Sequence, residues 1–162
     1  MEQPRCIETG KESFFGGYIY DQVIPADHFL RKLNQVIAWE HYTGKLIGLY
    51  EGKGIVGRPP FGPTMLLKME LLAYLHNLSE WQVENYLNEN LPAKYFVGLA
   101  VDKRVPDHST LTVFRERLVQ RGKWKLGSAA MIKFRPQNIT QQIARCKKQF
   151  PVTHAGLEPA TR

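Results

Sequence analysis

Asp107, His108 and Ser109 are the three side-chain types of a nucleophilic hydrolase relay, and they stand in a row. A relay needs the acid, the base and the hydroxyl to converge in space. Consecutive residues point in different directions, so a run of three cannot build it. A turn followed by a helix cap accounts for the same letters. The other histidines, His28, His41, His76 and His154, show no metal-ligand spacing, and no cysteine pair supports them. Metal-dependent phosphoryl transfer would need converging carboxylates. Asp21, Asp27, Asp102 and Asp107 instead sit in turns or at helix starts, where each has a structural task. Gly52-Lys53-Gly54-Ile55-Val56-Gly57 fits a GxGxxG pattern, but Arg58-Pro59-Pro60 follows it. Consecutive prolines cannot open the helix whose N-terminus would meet a pyrophosphate, so no dinucleotide site is expected. No metal or cofactor site is expected from these residues.

Cations offer a different chemistry. Downstream of Asp107, Leu111, Phe114 and Leu118 recur at helical spacing, which predicts a helix from about Ser109 to Gln120 with these three facing inward. Thr112, Glu116, Arg117 and Gln120 fall outward, and Arg115 and Arg121 flank the apolar stripe. Arginine reads guanine or grips phosphate, and Thr and Gln reach base edges. The alternative is a solvated face with Arg115 tied to a carboxylate such as Asp102. The candidate DNA contacts are Arg58, Arg104, Thr112, Arg115, Arg117 and Arg121, with Lys123 and Lys125 reaching phosphate.

The elements that must position these residues are helical. The chain of 162 residues carries a formal net charge of +7. From Arg117 to Leu157 there is no Asp or Glu and nine Lys or Arg, so the remainder is slightly acidic. Such a basic half points to a polyanion, nucleic acid first; the alternative is an unfolded basic tail without a partner. Cys6 and Cys146 make neither a disulfide framework nor a metal site. No window approaches the roughly 20 apolar residues of a membrane span. No apolar signal core follows Met1, so a cytoplasmic location is the default.

Residues 1–17 read as irregular, and Tyr18 to Ile24 as an extended lead-in. Asp27 is the expected cap of a helix whose inner side is Phe29, Leu33, Val36, Ile37 and Glu40, closing at Gly44. Residues 44–63 form a Gly/Pro-rich loop. Thr64 to Asn77 is apolar nearly all round, the pattern of a central helix. Ser79 and Gln82 spell a capping box for a helix from Glu80 to about Asn88. Tyr95 to Leu99 reads as a connector. The expected fold is all-α: a small helical bundle with helix-turn-helix-like character over residues 18–122, flanked by an irregular N-terminus and a basic irregular tail over 123–162.

Several collinear segments resemble the N-terminal domain of bacterial InsH-type (IS five) insertion-sequence transposases. They are Val23 to Arg31, Gly57 to Pro63, Leu66 to Leu75 with Leu78-Ser79, Tyr95 to Leu99, and Val105 to Leu111 with Phe114 to Leu118. The resemblance implies a helical domain that helps to bind the element's terminal inverted repeats in double-stranded DNA. In the family such a domain precedes an RNase H-like domain whose Asp-Asp-Glu triad binds two divalent ions, Mg2+. None of that triad maps onto this sequence, which departs from the family pattern after about Leu118. The expectation is a transposase truncated before its catalytic domain, binding DNA without chemistry of its own. A frameshift would explain both the acid-free segment and the ending Thr153 to Arg162, which resembles a peptide of spurious reading frames. Two alternatives stand beside it. The helix around Leu66 to Leu75 could pair with a full-length transposase, or with a second copy, and inhibit it. Or the product is a remnant without function.

Overall fold

A computed structural model describes residues 14–49 and 60–123 of the chain. Among the described residues the fold is all-α, with seven α-helices and no strand: α1 Phe14–Val23, α2 Phe29–Val36, α3 Trp39–Leu46, α4 Pro63–His76, α5 Glu80–Glu89, α6 Leu91–Val97 and α7 His108–Gln120. A short 3-10 turn, Ile47–Leu49, follows α3. The candidate residues Arg58 and Lys125, the GxGxxG segment, both cysteines and the tail beyond Lys123 lie outside the described residues.

The centre is α4. Its run from Met65 to Ala73 is buried without a break, and it packs against α3, α5, α6 and α7. A helix surrounded on all sides has no polar stripe to show, which is why its sequence is apolar nearly all round. Pro63 stands in its first turn, where a missing N–H costs nothing. Asn77 ends it in the left-handed region, φ 53°, and the Leu78 N–H turns back to the Ala73 carbonyl at 2.9 Å. This helix is the segment that the sequence offered for pairing with another transposase molecule. In the folded chain its apolar residues from Leu66 to Ala73 are already covered.

The capping box at α5 forms as the sequence predicts. The Gln82 N–H donates to Ser79 Oγ at 3.3 Å, and the Ser79 N–H donates to Gln82 Oε1 at 2.8 Å. Three expectations are corrected. Residues 14–23 are helical where an irregular stretch and an extended lead-in were expected. Tertiary contacts hold α1. The Tyr20 hydroxyl donates to the Leu99 carbonyl at 2.7 Å, and burial, with the charge of Asp102, pushes that hydroxyl up to about 12. Arg31 Nη2 donates to the Tyr20 carbonyl and to Asp21 at the end of α1, at 2.8 and 2.9 Å, and its guanidinium lies over the Tyr95 ring. A cation placed there meets the negative end of the helix.

The helix expected from Asp27 to Gly44 is two helices. Its cap is His28, whose Nδ1 accepts the Leu30 N–H at 3.2 Å, while Asp27 is exposed. The backbone turns extended at Ile37, which lets both Ile37 and Trp39 reach the core, and α3 then runs through Gly44. Glu40 and Phe29, assigned to the inner side, are exposed. The connector expected over Tyr95 to Leu99 is the second half of α6 and its left-handed cap, Gly98 at φ 86°. Asn90 caps α6 through the Ala93 N–H, and Pro92 occupies the first turn.

Among the described residues the core carries one buried cation. Lys68 Nζ donates to Asn34 Oδ1 at 2.9 Å and lies over the rings of Trp39 and Phe96, at 4.7 and 5.7 Å from their centroids. Aromatic faces and an amide oxygen together replace the water an ammonium loses on burial.

Candidate nucleic-acid interface

α7 carries Arg115 and Arg117, and it starts where the sequence predicts. Asp107 Oδ1 accepts the Thr110 N–H at 2.9 Å, the Thr110 hydroxyl at 2.9 Å and the Ser109 hydroxyl at 2.7 Å. These bonds, Ser109's first, hold the Asp107 carboxyl below the usual aspartate range. His108 bonds neither to Asp107 nor to Ser109. Its backbone N–H and Nδ1 both meet Glu84 Oε2, at 2.9 and 3.0 Å, and its ring stacks on Trp81. The three adjacent residues therefore form a cap and not a relay.

Replacing Asp107 with Ala is expected to cost about 1 kcal/mol at neutral pH. A group whose folded pKa is depressed contributes above its unfolded value and loses that contribution as pH falls through the folded one. Thermal unfolding should therefore separate D107A from the parent near neutrality, and the two should converge in acid below the aspartate range.

The buried side of α7 is Leu111, Phe114 and Leu118, as the spacing requires. To one side of that stripe lies a polar seam. His108, Thr112 and Arg115 follow one another at i, i+4 and i+7, which sets them on one helix face. Each meets an acid from α5 or α4. Thr112 donates its hydroxyl to Glu80 Oε2 at 2.6 Å. Arg115 grips Glu70 with two bonds, Nε to Oε1 at 2.7 Å and Nη2 to Oε2 at 2.9 Å, and reaches Glu80 through Nη1 at 2.6 Å. Glu70 is almost wholly buried, 3% exposed. Burial pushes its carboxyl up, and the Arg115 hydrogen bonds and charge pull it back down.

Two of the candidate DNA contacts, Thr112 and Arg115, thus have intramolecular partners on the flank facing α4 and α5. The carboxylates that hold Arg115 are Glu70 and Glu80, where the sequence suggested Asp102. The Arg115–Glu70 pair spans 45 residues, and no local pattern announces it.

Arg117 and Arg121 occupy the opposite flank. At about 100° per residue, positions 110, 117 and 121 share a face roughly 160° round from the seam. Arg121 is exposed and Arg117 half-buried. Lys123 follows, its Nζ donating to the Lys45 carbonyl at the end of α3 at 2.6 Å. Arg104 is exposed in the turn before α7. The described candidates therefore separate into two sets: Thr112 and Arg115 within the seam, and Arg117, Arg121 and Lys123 on the other flank, with Arg104 in the preceding turn.

The connection between α4 and α5, Asn77 to Ser79, is short, as a helix-turn-helix would have it. Yet α5 contains no Lys or Arg and three Glu. The helix that the sequence offered for contacting DNA is α7, which carries Arg115 and Arg117.

No group of three or more His, Cys, Asp or Glu among the described residues could hold a metal ion. The two acids that converge in the seam, Glu70 and Glu80, both bond to Arg115. No helix of the described residues is long and apolar enough to cross a membrane.

A family model described as Transposase domain (DUF772) matches residues 18–117, from the second turn of α1 to Arg117 in α7. No solved structure matches the chain.

Proposed function

The chain belongs to the transposase-domain family (DUF772), which gives it a role in transposition, and from that membership we propose that its helical domain binds double-stranded DNA at the terminal inverted repeats of an insertion sequence. The observation that carries this reading is the placement of Arg117, Arg121 and Lys123 on the flank of α7 opposite the acid-bonded seam, with Arg121 exposed. Arg104, exposed in the turn before the same helix, is a further cation at the helix's other end. Arg115 and Thr112 act here as positioning residues: they hold α7 through Glu70 and Glu80. The InsH-type assignment rests on the collinear segments from Val23 to Leu118.

In this reading the domain supplies recognition and does no strand cutting. The carboxylates of the described core have other work. Glu70 and Glu80 hold Arg115, Glu84 holds His108, and Asp107 caps α7.

Phosphate contacts release counterions, so affinity for duplex DNA falls with salt at a log–log slope of about −0.9 per contact. The full chain is expected to bind the element's terminal repeat more tightly than a scrambled duplex and to lose affinity steeply with salt. Exchanging Arg117 and Arg121 together for Ala is expected to weaken binding and flatten the slope by about two contacts. Binding unchanged by that pair would remove α7 from the interface. Equal affinity for both duplexes would remove end recognition.

A further inference from the structure

We propose that the DNA-contacting surface continues from α7 onto the end of α3, where Lys45 and His41 meet the phosphodiester backbone beside Lys123. This rests on the duplex-binding reading above and adds two residues that no motif marks.

Residues 45 and 123 are joined across 78 positions of sequence by the bond from Lys123 Nζ to the Lys45 carbonyl, 2.6 Å. That bond sets two ammonium-bearing residues at one place on the surface. His41 joins them, its Nε2 2.8 Å from Lys45 Nζ. An ammonium only donates, so the imidazole nitrogen accepts. Each lysine has then used one of its three donors. Phosphate oxygens are the acceptors that would match the remainder.

The neighbouring elements leave this charge standing. His41 and Lys45 are i and i+4 on α3, on one exposed face, while Trp39 and Leu46 are buried. Glu40 is the acid of α3, and it lies about 100° or more round the helix from either. Arg121, two residues before Lys123, is exposed. The ion pairs at Arg31, Lys103, His108 and Arg115 do not involve these residues. Cations from two elements, fixed against each other by a bond to the Lys45 backbone carbonyl, suit a polyanion running across both.

The test is Lys45→Gln in the full chain, with binding of labelled terminal-repeat and scrambled duplexes followed across salt. The substitution keeps the backbone carbonyl that Lys123 uses. The expected result is a slope flatter by about one contact on both duplexes alike, because phosphate contacts carry no sequence information. Lys32→Gln, on α2, is expected to leave the slope unchanged. If Lys45→Gln leaves the slope intact while the Arg117/Arg121 pair flattens it, the surface ends at α7 and this inference is overturned alone. An equal loss in both lysine variants overturns it too, since the effect would then be diffuse charge. A parent chain that binds neither duplex overturns the duplex-binding reading, and this inference with it.

Discussion

Arg115→Met is expected to destabilise the domain by about 2–3 kcal/mol near neutrality, and by less in acid. Removing one partner of a buried pair typically costs about 3–5 kcal/mol, because the other charge is left without compensation. Here Glu70 is buried, but the Arg115 side chain is 45% exposed, so water tempers the loss. The pH dependence follows from Glu70. Burial already raises its folded pKa, and such a group favours folding below its unfolded value and ceases to do so as pH rises through the folded one. Without Arg115 nothing in the pair pulls that value back. The ionised carboxylate then becomes more costly at neutral pH, and protonation relieves it. Thermal unfolding of R115M and the parent should differ most near neutrality and approach each other in acid. Glu70→Leu added to Arg115→Met should recover most of the loss, since a packed apolar pair needs no counter-charge. A loss that is the same at both pH values, or that the second substitution does not recover, would mean that the pair matters through packing and not through charge.

Phe114→Ala is expected to be the most damaging substitution in α7, at about 3–5 kcal/mol. Phe114 is fully buried in the cluster that joins α7 to the central helix. Truncating it removes transfer energy and leaves a cavity that helices packed on several sides cannot readily close. Its neighbour Val113 is 42% exposed, and V113A should stay within about 0.5 kcal/mol. Chemical denaturation of the two variants checks this. Similar losses at both positions would mean that α7 is not seated as described. On the proposed reading, the Phe114 effect also reaches DNA binding, because Arg117 and Arg121 ride on the same helix.

What the sequence made legible was local. The central helix α4 announces itself by an apolar run too long and too even for a surface helix. The α5 capping box and the Asp107 cap are short-range patterns, and the apolar stripe of α7 is a matter of spacing alone. The misread elements owe their form to distant contacts. α1 is rich in glycine, aromatic and β-branched residues, a poor helix on propensity, and it is held by Leu99 and Arg31. α6 has only seven residues and a proline, too few for a period to emerge. The break at Ile37 depends on where Trp39 finds room, between Lys68 and Phe96. The same division applies to the interface. That α7 is basic is written in its letters. Which of its cations are already paired is not, because Glu70 and Glu80 come 45 and 35 residues before Arg115.

The acid seam has a consequence for synthesis. A nascent chain emerges from its N-terminus, so α4, α5 and α6 are made before Arg115 exists. Until then the side of α4 that α7 will cover presents Glu70 to water, which suits a carboxylate, and its apolar neighbours to water, which does not suit them. Arrival of α7 closes both at once. It brings Phe114 for the apolar neighbours and Arg115 for the acid, in a single helix capped by its own aspartate. The last helix of the described domain is thus its latch, and a fragment ending just before His108 should be helical but open on the side that Phe114 covers.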